Sequence, residues 1–316
     1  MKKEAVLEGE SRWAIPVALA SFAAVALFIA TRFVDSVTGD GTAEVLRSVD
    51  ENGDSVIVTG LMQAAAFVLL AFPLTYLFRA AAARSDRVRY QLIGLVVAAP
   101  LFLALSTGLA AVAQGEAADE FVAGEAKSTL TQAEAKEECV EERQDDGNDF
   151  LVDEYEPGAG ESPLKACETR KVEDDEASNA RTEAGAAPFA TGFGIAGGLG
   201  FVIALVYSCL WGMRTGLLPR FWGALGMALG VGTLLGLLPF LLIWFVYFGF
   251  LVLGLVPGGR PPAWAAGEAI PWPTPGEKAA GELEPQDERE EAASPALTDE
   301  SDEGESGPKR KRKQRE

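Results

Sequence analysis

The sequence contains no histidine and only three cysteines among its 316 residues. It also lacks Asp, Glu, Lys and Arg through several long stretches, the longest of which covers residues 221–256. Ionisable side chains inside a membrane usually mark proton and ion pathways, so their absence disfavours a proton-coupled transporter. Without histidine, an intramembrane metalloprotease is also disfavoured, and the cysteines make a poor zinc site. The sequence therefore predicts no metal and no cofactor.

The chain alternates between apolar blocks and acidic segments. About 20 residues rising 1.5 Å each cross a hydrocarbon core of ~30 Å, and backbone groups in lipid must be satisfied within the segment, which favours helices. Runs of that length cover residues 13–31, 56–78, 92–112 and 189–211. The run over 221–256 is too long for one ordinary crossing. It contains Gly236 and then Pro239, the order expected where one helix ends and the next begins.

Dividing that run into residues 221–238 and 239–256 predicts an all-α integral membrane protein with about six transmembrane helices. One long, kinked helix, and hence five crossings, is the alternative. The predicted organisation is an N-terminus (1–12), helices one to three (13–113), an acidic outer loop (114–187), helices four to six (188–256) and a tail (257–316).

The distribution of charge predicts the orientation, because Lys and Arg concentrate in short cytoplasmic loops. Basic side chains precede the first helix and lie between helices two and three and between helices four and five: Lys2, Lys3, Arg12, Arg79, Arg84, Arg87, Arg89, Arg214 and Arg220. The other side receives the loop 114–187, with 22 acidic and seven basic side chains, a net charge of −15 out of −19 for the chain. Both termini are therefore predicted to be cytoplasmic if there are six crossings.

The acidic loop and the tail are both predicted to be largely disordered. Few large apolar side chains occur in the loop, so burial cannot offset the entropy of ordering it. Cys139 and Cys167 lie in this loop and can form a disulfide on an oxidising face, with free thiols as the alternative. The tail is rich in proline, then acidic, and ends in a basic cluster that either contacts anionic lipid or balances the acidic stretch before it: Lys309, Arg310, Lys311, Arg312 and Lys313.

Glycines recur four residues apart in the later helices. The pairs are Gly194 and Gly198, Gly226 and Gly230, and Gly232 and Gly236. This spacing places both glycines on one helix face and lets backbones approach closely. We favour packing of helices four to six within one subunit, with oligomerisation as the alternative.

Two segments resemble a family of uncharacterised multi-pass membrane proteins of actinobacteria, a domain of unknown function. GLLPRFWGALG, at residues 216–226, is similar to a loop-to-helix junction in those proteins. PGGRPPAW at 257–264, continuing to GEAIPWP at 267–273, resembles the segment that follows their last helix. The resemblance implies their topology and a bacterial plasma membrane, and it transfers no catalytic residue.

The predicted function depends on the motifs that the sequence lacks and on its two long charged segments, the acidic loop and the tail. The absence of a catalytic or nucleotide signature favours a non-enzymatic plasma-membrane protein that acts through interactions, as a scaffold, sensor or accessory subunit. The expected partners are membrane lipid and unidentified proteins bound through the acidic loop or the tail, and no nucleic acid is expected. The alternative is an uncoupled channel or transporter for a small or lipid-like solute, lined by Gln63, Thr107 or Tyr207.

Overall fold

The computed structural model describes residues 2–145, 148–155, 157 and 161–272, and over these residues it contains helices and no strand. In chain order the helices are α1 (Lys2–Val34), α2 (Thr42–Glu51), α3 (Gly53–Arg84), α4 (Ile93–Val122), α5 (Gln132–Asp145), α6 (Asn148–Tyr155), α7 (Pro163–Glu183), α8 (Ala187–Arg214), α9 (Arg220–Gly232), α10 (Leu238–Leu253) and α11 (Pro262–Ala266). Among them, α1, α3, α4 and α8 are long and apolar enough to cross a membrane. The protein is therefore membrane-embedded by the length and composition of its helices.

The long apolar helices, together with α9 and α10, form a closed ring that we call the apolar bundle. Around the ring each helix packs against the next in the order α1, α3, α4, α8, α9 and α10. The ring closes where α10 returns to α1, with the rings of Phe22 and Phe250 4.9 Å apart. Large side chains fill the interior, among them Phe201, Trp244 and Phe248. Apolar side chains also cover the outside, as a lipid-facing surface requires.

The uncharged run over residues 221–256 forms two helices, as predicted. After α9 the chain makes a short 3-10 turn, Thr233–Leu235, and Gly236 follows with a φ of 78°, a left-handed value that glycine adopts without strain. Pro239 then lies in the first turn of α10, where its missing N–H costs no hydrogen bond. The two helices have 13 and 16 residues, shorter than the four long ones.

The acidic loop is folded over its described residues, so the prediction that it is largely disordered is wrong. Helices α2, α5, α6 and α7 form a unit that we call the cap, next to the ends of α3 and α4. One reason for the difference is that α4 does not stop where the apolar run ends at residue 112 but continues to Val122. This extension gives the cap an apolar surface on which to pack.

The first part of the tail is also ordered, in contrast to the prediction. Residues 257–272, which we call the strap, leave α10, form the short helix α11 and fold back against the loop between α8 and α9. The backbone N–H of Ile270 donates to the carbonyl of Thr215 at 3.1 Å. The rest of the tail, with the predicted lipid-contacting cluster from Lys309 to Lys313, lies outside the described residues.

Candidate functional site

A disulfide joins the two helices that form the outer part of the cap. Cys139 of α5 and Cys167 of α7 are bonded, with their Cα atoms 6.1 Å apart. Both cysteines are fully buried beside Leu151 of α6. The disulfide therefore lies at the centre of a small apolar cluster that holds three cap helices together.

Small side chains attach the cap to the bundle. Ala177 and Ala180 of α7 pack in one cluster with Ala117 of α4 and Leu46 of α2. Alanine faces allow helices to approach closely, so much contact forms without large apolar residues. This packing buries apolar surface and stabilises the cap, although the composition of the loop did not predict such burial.

Charged side chains align α2 with α7. Arg47 pairs with Glu173 at 2.8 Å, and Arg170 pairs with Glu44 at 2.7 Å. Between these pairs, the backbone N–H of Ala43 donates to the Asp174 carboxylate at 2.8 Å. That N–H is an orphan donor in the first turn of α2, so a residue 131 positions away in the sequence caps the helix.

The turn before α5 is organised by Asp175. Its carboxylate accepts hydrogen bonds from the backbone N–H groups of Leu130 (3.0 Å) and Thr129 (2.6 Å) and from the Ser128 hydroxyl (2.8 Å). These bonds, chiefly that from Leu130, lower the pKa of Asp175 because they favour the ionised carboxylate. Ser128 is thus a partner of Asp175. Thr131 and Glu134 form a reciprocal capping box at the start of α5.

A cluster of polar side chains lies beside the disulfide. Lys171 donates to Glu142 at 2.8 Å and to Glu138 at 2.9 Å, and the Tyr155 hydroxyl donates to Glu142 at 2.9 Å. Burial and this bond to Glu142 raise the pKa of Tyr155 to about 12. Burial alone would lower the pKa of Lys171, but its bonds to Glu142 and Glu138 outweigh that effect and raise it.

A cavity of about 290 Å³ adjoins this cluster and is lined by both signs of charge, including Arg170, Lys171 and Asp174. Of its two cations, Lys171 pairs with Glu138 of the same lining, and Arg170 pairs with Glu44 of α2. Within the described residues, no group of three or more His, Cys, Asp or Glu side chains could hold a metal ion.

At the opposite end of the bundle, which we call the basic end, Arg84 of α3 is buried with a side-chain exposure of 0%. Its guanidinium forms a two-pronged ion pair with Glu10 of α1 and donates from Nε to the Ala263 carbonyl of the strap at 3.1 Å. The Trp264 ring covers it, with the guanidinium carbon 5.5 Å from the ring centroid. Arg84 therefore joins α1, α3 and the strap.

Two tryptophans fasten the strap to the loop between α8 and α9. The indole N–H of Trp264 donates to the Leu217 carbonyl at 2.9 Å, and that of Trp272 donates to the Leu218 carbonyl at 2.8 Å. The segments that carry the family resemblance, residues 216–226 and 257–273, thus contact each other over the described residues.

Sequence reasoning placed Arg84 in a loop and missed its pairing with Glu10. The available signal was the run from Ala80 to Ala83, which extends the helical pattern of α3 as far as the arginine.

The predicted packing glycines divide into two groups. A Cβ at Gly226 would lie 2.7 Å from the Trp244 nitrogen, one at Gly194 would lie 2.8 Å from the Ser106 hydroxyl, and one at Gly230 would lie 3.0 Å from Leu205. At Gly232 the near side chain is Leu237 of the turn that follows, at 2.9 Å. These contacts lie within one chain.

Gly198 and Gly236 form the second group, because a Cβ on either would meet no described atom of this chain within 4 Å. On α8 the contact line with α4 advances in steps of three residues through Gly194, Gly197 and Gly200, so Gly198 faces away from it. Gly236 forms the turn between α9 and α10 instead.

The polar residues proposed to line a channel line neither of the two described cavities. Thr107 donates to the Leu103 carbonyl of its own helix at 3.1 Å, and the Tyr207 hydroxyl accepts from the Arg89 backbone N–H at 3.0 Å. Neither the cavity beside the disulfide nor a second cavity of about 840 Å³ at the basic end is lined by these residues or by Gln63.

Comparison of the chain with protein-family models, with curated proteins and with solved structures finds no match.

Proposed function

We propose that this is a non-enzymatic membrane protein that presents its cap to a partner, as a scaffold, sensor or accessory subunit. The attachment of the cap carries the proposal. Its α7 packs on the extension of α4 through Ala177 and Ala180, and its α2 is joined to α7 by two ion pairs. A surface held in this way is presented in a constant position above the bundle, which lowers the entropy cost of binding.

The surface best suited to docking is the exposed face of α5. Acidic side chains recur there at helical spacing and lie on one side of the helix: Glu134, Glu137, Glu138, Glu141 and Asp145. Charge complementarity of this kind steers association, so the expected partner carries a basic surface.

The interior of the bundle supports interaction in preference to transport. Phe201, Leu205, Trp244, Phe245 and Phe248 are all fully buried between the helices. An uncoupled channel or transporter for a small or lipid-like solute is the alternative function, and the largely apolar 840 Å³ cavity at the basic end favours only the lipid-like solute.

The proposed topology has six crossings, with both termini on the cytoplasmic side of a bacterial plasma membrane. The basic end gathers the start of α1, the end of α3 and the strap, which agrees with a cytoplasmic location. The disulfide lies in the cap at the other end, where an oxidising compartment would maintain it. As crossings, α9 and α10 are short, and local thinning of the bilayer can accommodate them.

Charge reversal on α5 tests the docking proposal. Glu137→Lys combined with Glu141→Lys should abolish crosslinking of the native partners to the full chain in cells. The matched control is Glu8→Lys combined with Asp86→Lys, which reverses two exposed acids at the basic end and should leave those partners in place. An unchanged partner set in the α5 variant would refute the proposal. A reporter fused after Glu316 tests the topology separately.

A further inference from the structure

The 840 Å³ cavity is a groove on the outside of the bundle at its basic end. Helix α3 forms its floor, and α1 and α4 form its walls. Its floor and rim include Gly9, Ala71, Ala80 and Ala83, so small residues leave the volume open between larger neighbours. Trp13 and Tyr90 line it while remaining 51% and 57% exposed, so the groove opens to the side and not into the interior.

The groove is apolar along most of its length and polar at one end. Val68, Phe72 and Leu101 line the apolar part, and Thr75, Tyr76 and Arg79 follow on α3 toward the basic end. From residue 68 to residue 79 the helix rises about 16 Å. An elongated apolar groove that ends at a cation can accommodate a lipid acyl chain along its length and an anionic head group at its end.

The net charge at the polar end is positive. Glu10 also lines the groove, but its carboxylate is engaged by both terminal nitrogens of Arg84. Arg79 is exposed and has no ion-pair partner among the described residues. A guanidinium binds a phosphate through two parallel hydrogen bonds, and aromatic residues such as Trp13 and Tyr90 are typical of the depth at which lipid head groups lie.

We propose that this groove binds one molecule of an anionic phospholipid. The phosphate lies on Arg79, between Trp13 and Tyr90, and one acyl chain runs along α3 past Thr75 to Phe72 and Val68. The site is separate from the cap, which lies at the other end of the bundle. It does not depend on the docking function proposed above.

Native mass spectrometry of the full chain in detergent can test this site. Phosphatidylglycerol and phosphatidylcholine with identical acyl chains are titrated in parallel. We expect one phosphatidylglycerol per chain, bound about tenfold more tightly than phosphatidylcholine. Arg79→Gln should remove this preference, because it deletes the charge-assisted hydrogen bonds to the phosphate. Arg214→Gln, another exposed arginine at the basic end that contacts Trp211, should retain it.

A second variant tests the acyl-chain position. Thr75→Trp should fill the groove and reduce the binding of both lipids at least tenfold, and Val97→Trp serves the same purpose if Thr75→Trp does not fold. Ile203→Trp, on the outward face of α8, is the matched control and should bind as the wild type does. Equal binding of phosphatidylglycerol by the wild type and Arg79→Gln would overturn the proposal, as would full binding by a groove-filled variant.

Discussion

Arg84, the last residue of α3, has its guanidinium buried against the carboxylate of Glu10 in α1. The pair lies where the first helix, the third helix and the strap meet. Its charges are withdrawn from water, so each depends on the other, and removal of one leaves a buried charge without compensation.

Replacement of Glu10 by alanine should destabilise the protein by about 3 kcal/mol, because it leaves the Arg84 charge buried and unpaired. The unfolding midpoint, followed by tryptophan fluorescence in detergent, measures this loss. Glu8→Ala, at an exposed position of the same helix, is the control and should have little effect. Adding Arg84→Met to Glu10→Ala should restore part of the stability, and a double variant less stable than Glu10→Ala would contradict this account.

Replacement of Trp264 by alanine should release the strap, because it removes the bond to the Leu217 carbonyl and the ring that covers Arg84. The backbone N–H of Ile270, which donates to Thr215, reports on this change through hydrogen exchange. Its exchange should accelerate by at least tenfold in the variant. Trp13→Ala, which removes an exposed tryptophan of α1, should leave that rate unchanged, and equal rates in the two variants would argue against the role of Trp264.

Loss of the disulfide should destabilise the cap by about 3 to 4 kcal/mol, the value expected for a closed loop with a sequence separation of 28 residues. Cys139→Ala combined with Cys167→Ala should increase hydrogen exchange in α5 and α7 while α8 stays protected. Dithiothreitol should have the same effect on the wild type and none on the double variant. A response of the double variant to dithiothreitol would show that another group is responsible.

Acidification should weaken the turn before α5. The pKa of Asp175 is lowered in the folded chain, so its contribution to stability is fully present above the ordinary carboxylate pKa and is lost as the pH falls through the lowered value. Asp175→Asn should therefore cost about 1 kcal/mol near pH 7, as the loss of a helix cap does, and the gap to the wild type should close at low pH.

The same unfolding measurement on Asp119→Asn, an exposed acid of α4, provides the control. A gap between the wild type and Asp175→Asn that persists unchanged to the lowest accessible pH would exclude ionisation of Asp175 as its cause.

The helices of the bundle could be predicted because membrane spans depend on local composition. The turn at Gly236 and Pro239 followed from the conformational preferences of those two residues. The cap could not be predicted in this way, because its burial comes from alanines such as Ala177 and Ala180 that meet a helix distant in the sequence. Judged by composition, alanine contributes little apolar burial. The packing becomes favourable only because these alanines contact other helices.

The strap and the groove were missed for a related reason. Trp264 and Trp272 lie among prolines that indicate an irregular segment, and nothing local shows that the carbonyls of Leu217 and Leu218 lie within reach. Likewise, Arg79 considered by itself in the sequence indicates only on which side of the membrane its loop lies. Its role in a groove depends on α1 and α4 lying on either side of α3.

The contact of Phe22 with Phe250 has a consequence for biogenesis. Helix α10 follows every other helix of the ring in the chain, so it leaves the ribosome last. Until α10 is synthesised, the face of α1 that packs against it is uncovered. Arg84 also remains uncovered, because the strap follows α10 in the chain. A chain that stalls before residue 238 therefore holds an open bundle, with the face of α1 that α10 covers left exposed.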